Sequence, residues 1–130
     1  MAEQRDFFFS TTGMAEVFSP EAQVRAMLAF EAALARAEAR AGVIPHEAAI
    51  AIADRCKGEL FEVEALYREA AIAGTLAIPL VKRLTALVNG PAQNFVHWGA
   101  TSQDAIDTAL MLQMRAGLDQ LVEGLLGVCA

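Results

Sequence analysis

Between Asn94 and Thr108 the sequence runs NFVHWGATSQDAIDT, and these fifteen residues gather its least ordinary chemistry. They hold His97, one of two histidines, the single tryptophan Trp98, adjacent hydroxyls at Thr101 and Ser102, and aspartates at 104 and 107. Histidine changes charge most readily near neutral pH, so His97 could donate a proton or a hydrogen bond to an anion. Thr101 and Ser102 follow Gly99-Ala100 at the start of an apolar helical run. A helix N-terminus exposes N–H groups, and neighbouring hydroxyls can join them in gripping a carboxylate or phosphate. No Lys or Arg lies between Asn94 and Asp107, so partial dipoles would meet such an anion and full positive charge must come from elsewhere. The Gly-Lys-Ser/Thr of a nucleotide-binding P-loop is missing.

Each residue also has a plainer use. Thr101 with Asp104 three positions on makes a capping box, Asp standing for the usual Glu, and Asp104 and Asp107 both suit the positive end of a helix dipole. A lone histidine is more often a satisfied structural residue than a catalyst, and Trp98 more often belongs to a core or an interface. The Asp104–Asp107 pair shares a helical face but has no His or Cys at metal-ligand spacing, so no metal is expected. His46, just inside a helix start, reads as a surface residue. Lys82 and Arg83 read as a solvated face, although Lys82 could reach an anion.

The elements that must position these residues are helices; no run alternates in the manner of a strand, and the expected fold class is all-α. Ser19-Pro20-Glu21 is a start signal of cap, first-turn proline and acid. Met27, Phe30, Leu34, Ala37 and Ala41 then recur at helical spacing, Arg36 and Arg40 sit near the negative end, and Gly42 is the stop. A second helix is expected from Pro45, a third within EVEALYREAAIA, and a fourth restarting at Pro79 and closed by Asn89-Gly90-Pro91. From Thr101 or Ser102 the pattern stays helical to the end, with Ile106, Leu110, Met114, Leu121, Leu125 and Val128 on one side. Gly117, Gly124 and Gly127 interrupt that helix at about 1 kcal/mol each. Two of them lie one heptad apart, so close approach of another helix could offset the cost.

The chain has 130 residues, 55% of them hydrophobic, and a net charge of −6. This suits one domain, whose apolar excess either forms a bundle or faces partners. Nucleic acid is not an expected partner, since it needs clustered Lys and Arg. Met1 to Ser10 carries Glu3, Arg5 and Asp6 and does not read as a signal peptide. The longest apolar stretch, AAIAGTLAIPLV, is too short for a bilayer, so no membrane is expected. Cys56 and Cys129 have no metal-ligand spacing and read as free cytosolic thiols. The terminal LLGVCA, without a cap, reads as a helix cut short.

Taken together, VHWGATSQDAIDTAL resembles the His-x-Gly-x-Thr-Ser-x-Asp signature of the fumarase/aspartase superfamily. The Trp after the His and the Ala-Thr-Ser-Gln-Asp form are most similar to its carboxymuconate-lactonizing cycloisomerases, which serve bacterial aromatic degradation in the β-ketoadipate pathway. VFSPEAQVRAMLAFEAALARAEARAGVIP is similar to the amino-terminal helix of those enzymes, and AIPLVKRL to the stretch before the signature. The resemblance implies a cytoplasmic homotetramer whose sites are assembled from several subunits around a central helical bundle. It implies an amino-terminal helical domain over residues 1–100 and the start of the central-bundle domain over 101–130, the sequence being an amino-terminal portion. It places Thr101 and Ser102 on a carboxylate of a small tricarboxylate substrate and His97 in the substrate pocket as a catalytic candidate, with Asp104 and Trp98 in support. No cofactor is implied. The family's Ser-Ser-x-Met-Pro-x-Lys-x-Asn loop, source of a catalytic serine and a cationic anchor, is absent, so these 130 residues alone are expected to be inactive. Adenylosuccinate-type lyases, which release fumarate, are the alternative within the superfamily; they carry a histidine near Thr75, where this sequence has none. A non-catalytic helical assembly domain is the alternative outside it.

Overall fold

The computed structural model describes residues 10–129. The reading of Met1 to Ser10 as something other than a signal peptide falls, Ser10 apart, outside that range. Every regular element among the described residues is helical. A short helix α1 (Thr12–Val17) precedes α2 (Pro20–Arg40), α3 (His46–Arg55), α4 (Val63–Ala73), α5 (Ala77–Leu87) and the long α6 (Ser102–Cys129).

The ends of α2 follow from local chemistry. Ser19 Oγ accepts the Ala22 N–H at 3.2 Å, with Pro20 in the first turn where a missing N–H costs nothing. At the other end Gly42 takes φ +72°, and the Gly42 and Val43 N–H groups donate to Ala39 O at 3.1 Å and Glu38 O at 2.9 Å. This Schellman pattern is one that glycine enters without strain. Gly74, at φ +80°, ends α4 similarly.

Helix α2 is the axis of the domain. It packs against α3 on one side and α6 on another, burying Val24, Met27, Leu28, Ala32 and Ala35. These join Ile52, Leu66, Leu80, Leu84 and Val88, all at 1% exposure or less, and each such burial contributes about 1.5–3 kcal/mol relative to exposure. The buried stripe is rotated from the expected one: Phe30 and Leu34 lie at its edge, Ala37 and Ala41 face solvent, and the centre is occupied by Glu31, 1% exposed. Helix α5 begins at Ala77, two residues before the expected restart. Pro79 therefore lies in its first turn, where N–H groups have no intrahelical acceptor to lose.

The face of α6 that packs within this chain is not its leucine side. Its buried residues are Ala105, Ala109, Gln113 and Gly117, one per turn, small enough to bring the helix close to α2 and α1. The Gln113 side chain is tied down by donating to Val17 O at 2.8 Å. The apolar side read from the sequence is half-buried only at Ile106; Leu110, Met114, Leu121, Leu125 and Val128 are 44–84% exposed. From Leu118 onward every described side chain except Gln120 faces solvent. Gly117 has the close neighbour that was anticipated, for a Cβ there would meet Met14 Sδ and Phe18 Cε2 at 3.3 Å. Gly124 and Gly127 have nothing within 4 Å.

Candidate functional site

The signature begins where a 3₁₀ segment, Gly90–Phe95, delivers the chain from α5 toward α6. Val96 is extended; His97 then turns left-handed at φ +58° and Gly99 at φ +67°. The left-handed region is uncommon for a residue with a side chain, although histidine is enriched there. Its backbone carbonyl accepts the Ala100 N–H at 3.4 Å, closing the turn that sets α6 on its course.

A capping box then opens α6, as Thr101 and Asp104 led one to expect. Asp104 Oδ2 accepts from Thr101 N–H at 2.7 Å and from the Thr101 hydroxyl at 3.0 Å, while Asp104 N–H donates to Thr101 Oγ1 at 3.4 Å. The backbone N–H of Thr101, then its hydroxyl, hold the Asp104 carboxyl below the usual carboxylate range. The box divides the two hydroxyls. Thr101 has its proton engaged by Asp104, whereas Ser102, half-buried in the first helical position, makes no side-chain hydrogen bond among the described residues. Among the described residues the Ser102 and Gln103 N–H groups likewise lack backbone acceptors outside the helix. One free hydroxyl and two free N–H groups thus sit at the positive end of a 28-residue helix, an arrangement suited to an anion. Asp107 is engaged by the Gln103 amide.

His97 is satisfied, though not by backbone. Nδ1 lies 2.6 Å from Glu31 Oε1, across 66 residues of sequence, within hydrogen-bond distance. The side chains are 14% and 1% exposed respectively. The Glu31 hydrogen bond holds the imidazole above its ordinary pKa against the opposing effect of burial, with Asp104 and Glu38 adding to the rise. Phe30 meets the ring edge-on, with centroids 6.5 Å apart at 65°. Glu31 Oε2 and Glu38 Oε2 are buried with no hydrogen-bond partner among the described residues, and burial, then the charge of Glu31, pushes the Glu38 carboxyl up.

Glu31 is the site residue that sequence reasoning missed. Its only signal was an acid in the middle of the apolar run AFEAALA. Trp98, expected as support, is 50% exposed and leans on Phe95 with centroids 6.0 Å apart. Lys82 is exposed on α5, Arg83 pairs with Glu69, and His46 is exposed. Cys56 and Cys129 are free thiols, and burial pushes Cys56 up to about 12. No group of three or more His, Cys, Asp or Glu suited to a metal occurs among the described residues. An open groove of about 460 Å³ between α1, α2 and α6 is lined by Arg25, Gln113 and Gln120 and by none of the signature residues. Within the signature Trp98, Thr101, Gln103 and Asp104 are exposed, whereas His97 and Ser102 are half-buried.

Residues 8–127 match the lyase family. The chain is 50% identical over 128 residues to a 3-carboxy-cis,cis-muconate cycloisomerase of Pseudomonas putida, a match covering 96% of this chain and 30% of that one. An enzyme of the same name from Bradyrhizobium diazoefficiens is 50% identical over 115 residues, covering 86% of this chain and 26% of the relative. The crystal structure of the Pseudomonas putida lactonizing enzyme superposes with a TM-score of 0.84 at 49% identity, over 88% of this chain and 27% of that one. The chain therefore spans less than a third of the length of these relatives.

Proposed function

Since the chain belongs to the lyase family, the fumarase/aspartase superfamily of the signature, we propose that it supplies the carboxylate-gripping part of a 3-carboxy-cis,cis-muconate cycloisomerase. The observation that carries this reading is the 50% identity to a cycloisomerase of that name across 96% of the chain. The reaction is a redox-neutral ring closure that needs no cofactor. An oxygen of one substrate carboxylate bonds to a carbon of the conjugated diene, the π pair shifts to the carbon beside another carboxylate, and that carbon takes a proton. Before protonation the second carboxylate carries extra negative charge, as an enolate does.

In this reading the Ser102 hydroxyl and the free N–H groups of Ser102 and Gln103 meet that charge where it grows. Thr101 and Asp104 hold the turn, and the His97 Nε2 edge donates to the same substrate. Trp98 flanks the pocket. Residues 1–100 form the amino-terminal domain, and from 101 onward α6 enters a bundle shared by four subunits, which closes the open site and holds the attacking carboxylate in place. The exposed apolar side of α6 supports that placement. The proton donor lies on a segment these 130 residues do not contain. A cytoplasmic location fits this chemistry, and no helix among the described residues is long and apolar enough to cross a membrane.

The test is loss of diene ultraviolet absorbance from 3-carboxy-cis,cis-muconate. It is run with this chain alone and with this chain joined to the part of the Pseudomonas putida enzyme that follows its aligned segment. The joined protein should turn over and the 130-residue chain should not. A folded tetramer of the joined protein that cleaves adenylosuccinate and leaves the diene untouched would overturn the substrate assignment.

A further inference from the structure

We propose that Glu31 is a positioning residue of the signature site: by accepting the Nδ1 proton of His97 it fixes the tautomer and orientation of the ring and leaves Nε2 as a cationic donor to a substrate carboxylate. The second half of this inference rests on the carboxylate-gripping reading above; the first half stands on the geometry alone.

Four observations converge on it. The pair is short, at 2.6 Å, and joins α2 to the signature turn across 66 residues. Glu31 is 1% exposed in the centre of the apolar face of α2, a place where a hydrophobic side chain of similar volume would stabilise the core as well or better. Its second oxygen is buried without a partner among the described residues, a desolvation cost that core packing does not explain. Finally, His97 is held at φ +58° with Phe30 against its ring edge, so backbone, ring and carboxylate together leave the imidazole little freedom to turn.

The electrostatics follow from that placement. The charges acting on the ring are Glu31 and Glu38 from α2 and Asp104 from α6, all three acidic. At the end of α3 the Cys56 thiol, which senses Glu31, is kept neutral by its burial. The segment from Asn94 to Asp107 contains no Lys or Arg. A neutral imidazole with its proton on Nδ1 would turn a lone pair at Nε2 toward an incoming carboxylate, and the two would repel. An imidazolium presents N–H there and supplies the positive charge that the helix dipole alone lacks.

Nitrogen-detected NMR titration of this chain should give His97 a midpoint above the ordinary imidazole value of about 6.5, and a proton on Nδ1 at the alkaline limit. Glu31→Gln keeps a side-chain oxygen for Nδ1 but removes the charge, and should lower the proton affinity of His97 by about tenfold or more. A glutamate that did not bond the imidazole would show neither effect; an ion pair that only braced the fold would show both, and is separated from a positioning residue by the KM comparison in the joined protein. The proposal is overturned if His97 titrates at or below about 6.5, if its alkaline proton sits on Nε2, or if Glu31→Gln leaves the midpoint in place. Should Glu31→Gln fail to fold, the tautomer and midpoint of the unsubstituted chain decide.

In the joined protein, where the site is complete, Glu31→Gln should then raise the KM for 3-carboxy-cis,cis-muconate by about tenfold with the tetramer intact. A titration as expected without that KM effect overturns the carboxylate-gripping reading while the Glu31–His97 assignment stands. The two failures are thereby kept apart.

Discussion

The two halves of α6 are built by opposite rules. From Ser102 to Gly117 the helix turns small or polar residues inward, is capped by Thr101 and Asp104, and is tied to α1 and α2. From Leu118 it presents leucines and valines to solvent and, Gln120 apart, buries none of its described side chains. Both halves are helical and both are apolar in composition, so neither propensity nor hydrophobicity separates them. What separates them is where the covering surface comes from: the rest of this chain for the first half, and in the proposed tetramer other helices for the second. The signature sits at the end that the chain itself packs.

The sharpest way to break that contrast is to charge the distal half. Leu121→Asp with Leu125→Asp should abolish tetramer formation and diene turnover in the joined protein, read by ultracentrifugation and absorbance. The α2 core of the single chain should keep its thermal midpoint, because neither residue touches it. If assembly survives both aspartates, the exposed face of α6 is not the bundle face.

Next in size is the pair that braces the proximal half. His97→Ala leaves the Glu31 carboxylate buried without a partner, and should cost about 3–5 kcal/mol in urea denaturation. Adding Glu31→Leu should recover much of that loss, since an apolar residue then fills an apolar site. The pair also shapes the pH profile. His97 is raised above its ordinary value, so its stabilisation is complete below about 6.5 and is lost as pH rises through its folded value. Asp104 is lowered, so its stabilisation holds above about 3.9 and is lost as pH falls through its folded value. Thermal midpoints should therefore fall on both sides of a plateau, and His97→Ala should erase the alkaline fall only.

The smallest effect is the most discriminating. Gly117 and Gly124 are one heptad apart on one helix, and alanine should act on them with opposite sign in this chain. Gly124→Ala has open space around its Cβ and should stabilise by about 0.5–1 kcal/mol through helix propensity. Gly117→Ala meets Met14 and Phe18 at 3.3 Å and should destabilise unless both give way. Equal effects at the two positions would mean that the halves do not differ in packing as described.

Much of this architecture was legible before any coordinates. Caps and stops are local chemistry: Ser19-Pro20, Gly42, Gly74 and the Thr101–Asp104 box each act within a few residues, and a linear reading can see them. The signature's resemblance supplied the family. What escaped the sequence was non-local. Periodicity locates an apolar face but not what covers it, so the leucine side of α6 was legible while the close approach of alanine, glutamine and glycine to α1 and α2 was not. Glu31 escaped for the same reason, its partner being 66 residues away. An acid in an apolar run announces that something must neutralise it, without saying what. Pro79 misled by two residues because first-turn and helix-start prolines look alike in a linear pattern.

The central claim, that the free donors at the start of α6 hold the growing charge on a substrate carboxylate, is tested most directly by turnover of 3-carboxy-cis,cis-muconate in the joined protein carrying Ser102→Ala. The rate constant should fall by about 10²–10³, with assembly and helicity unchanged. A rate within about twofold of the unsubstituted protein, in an intact tetramer, would contradict it, since removing a donor that stabilises developing charge cannot leave kcat unmoved.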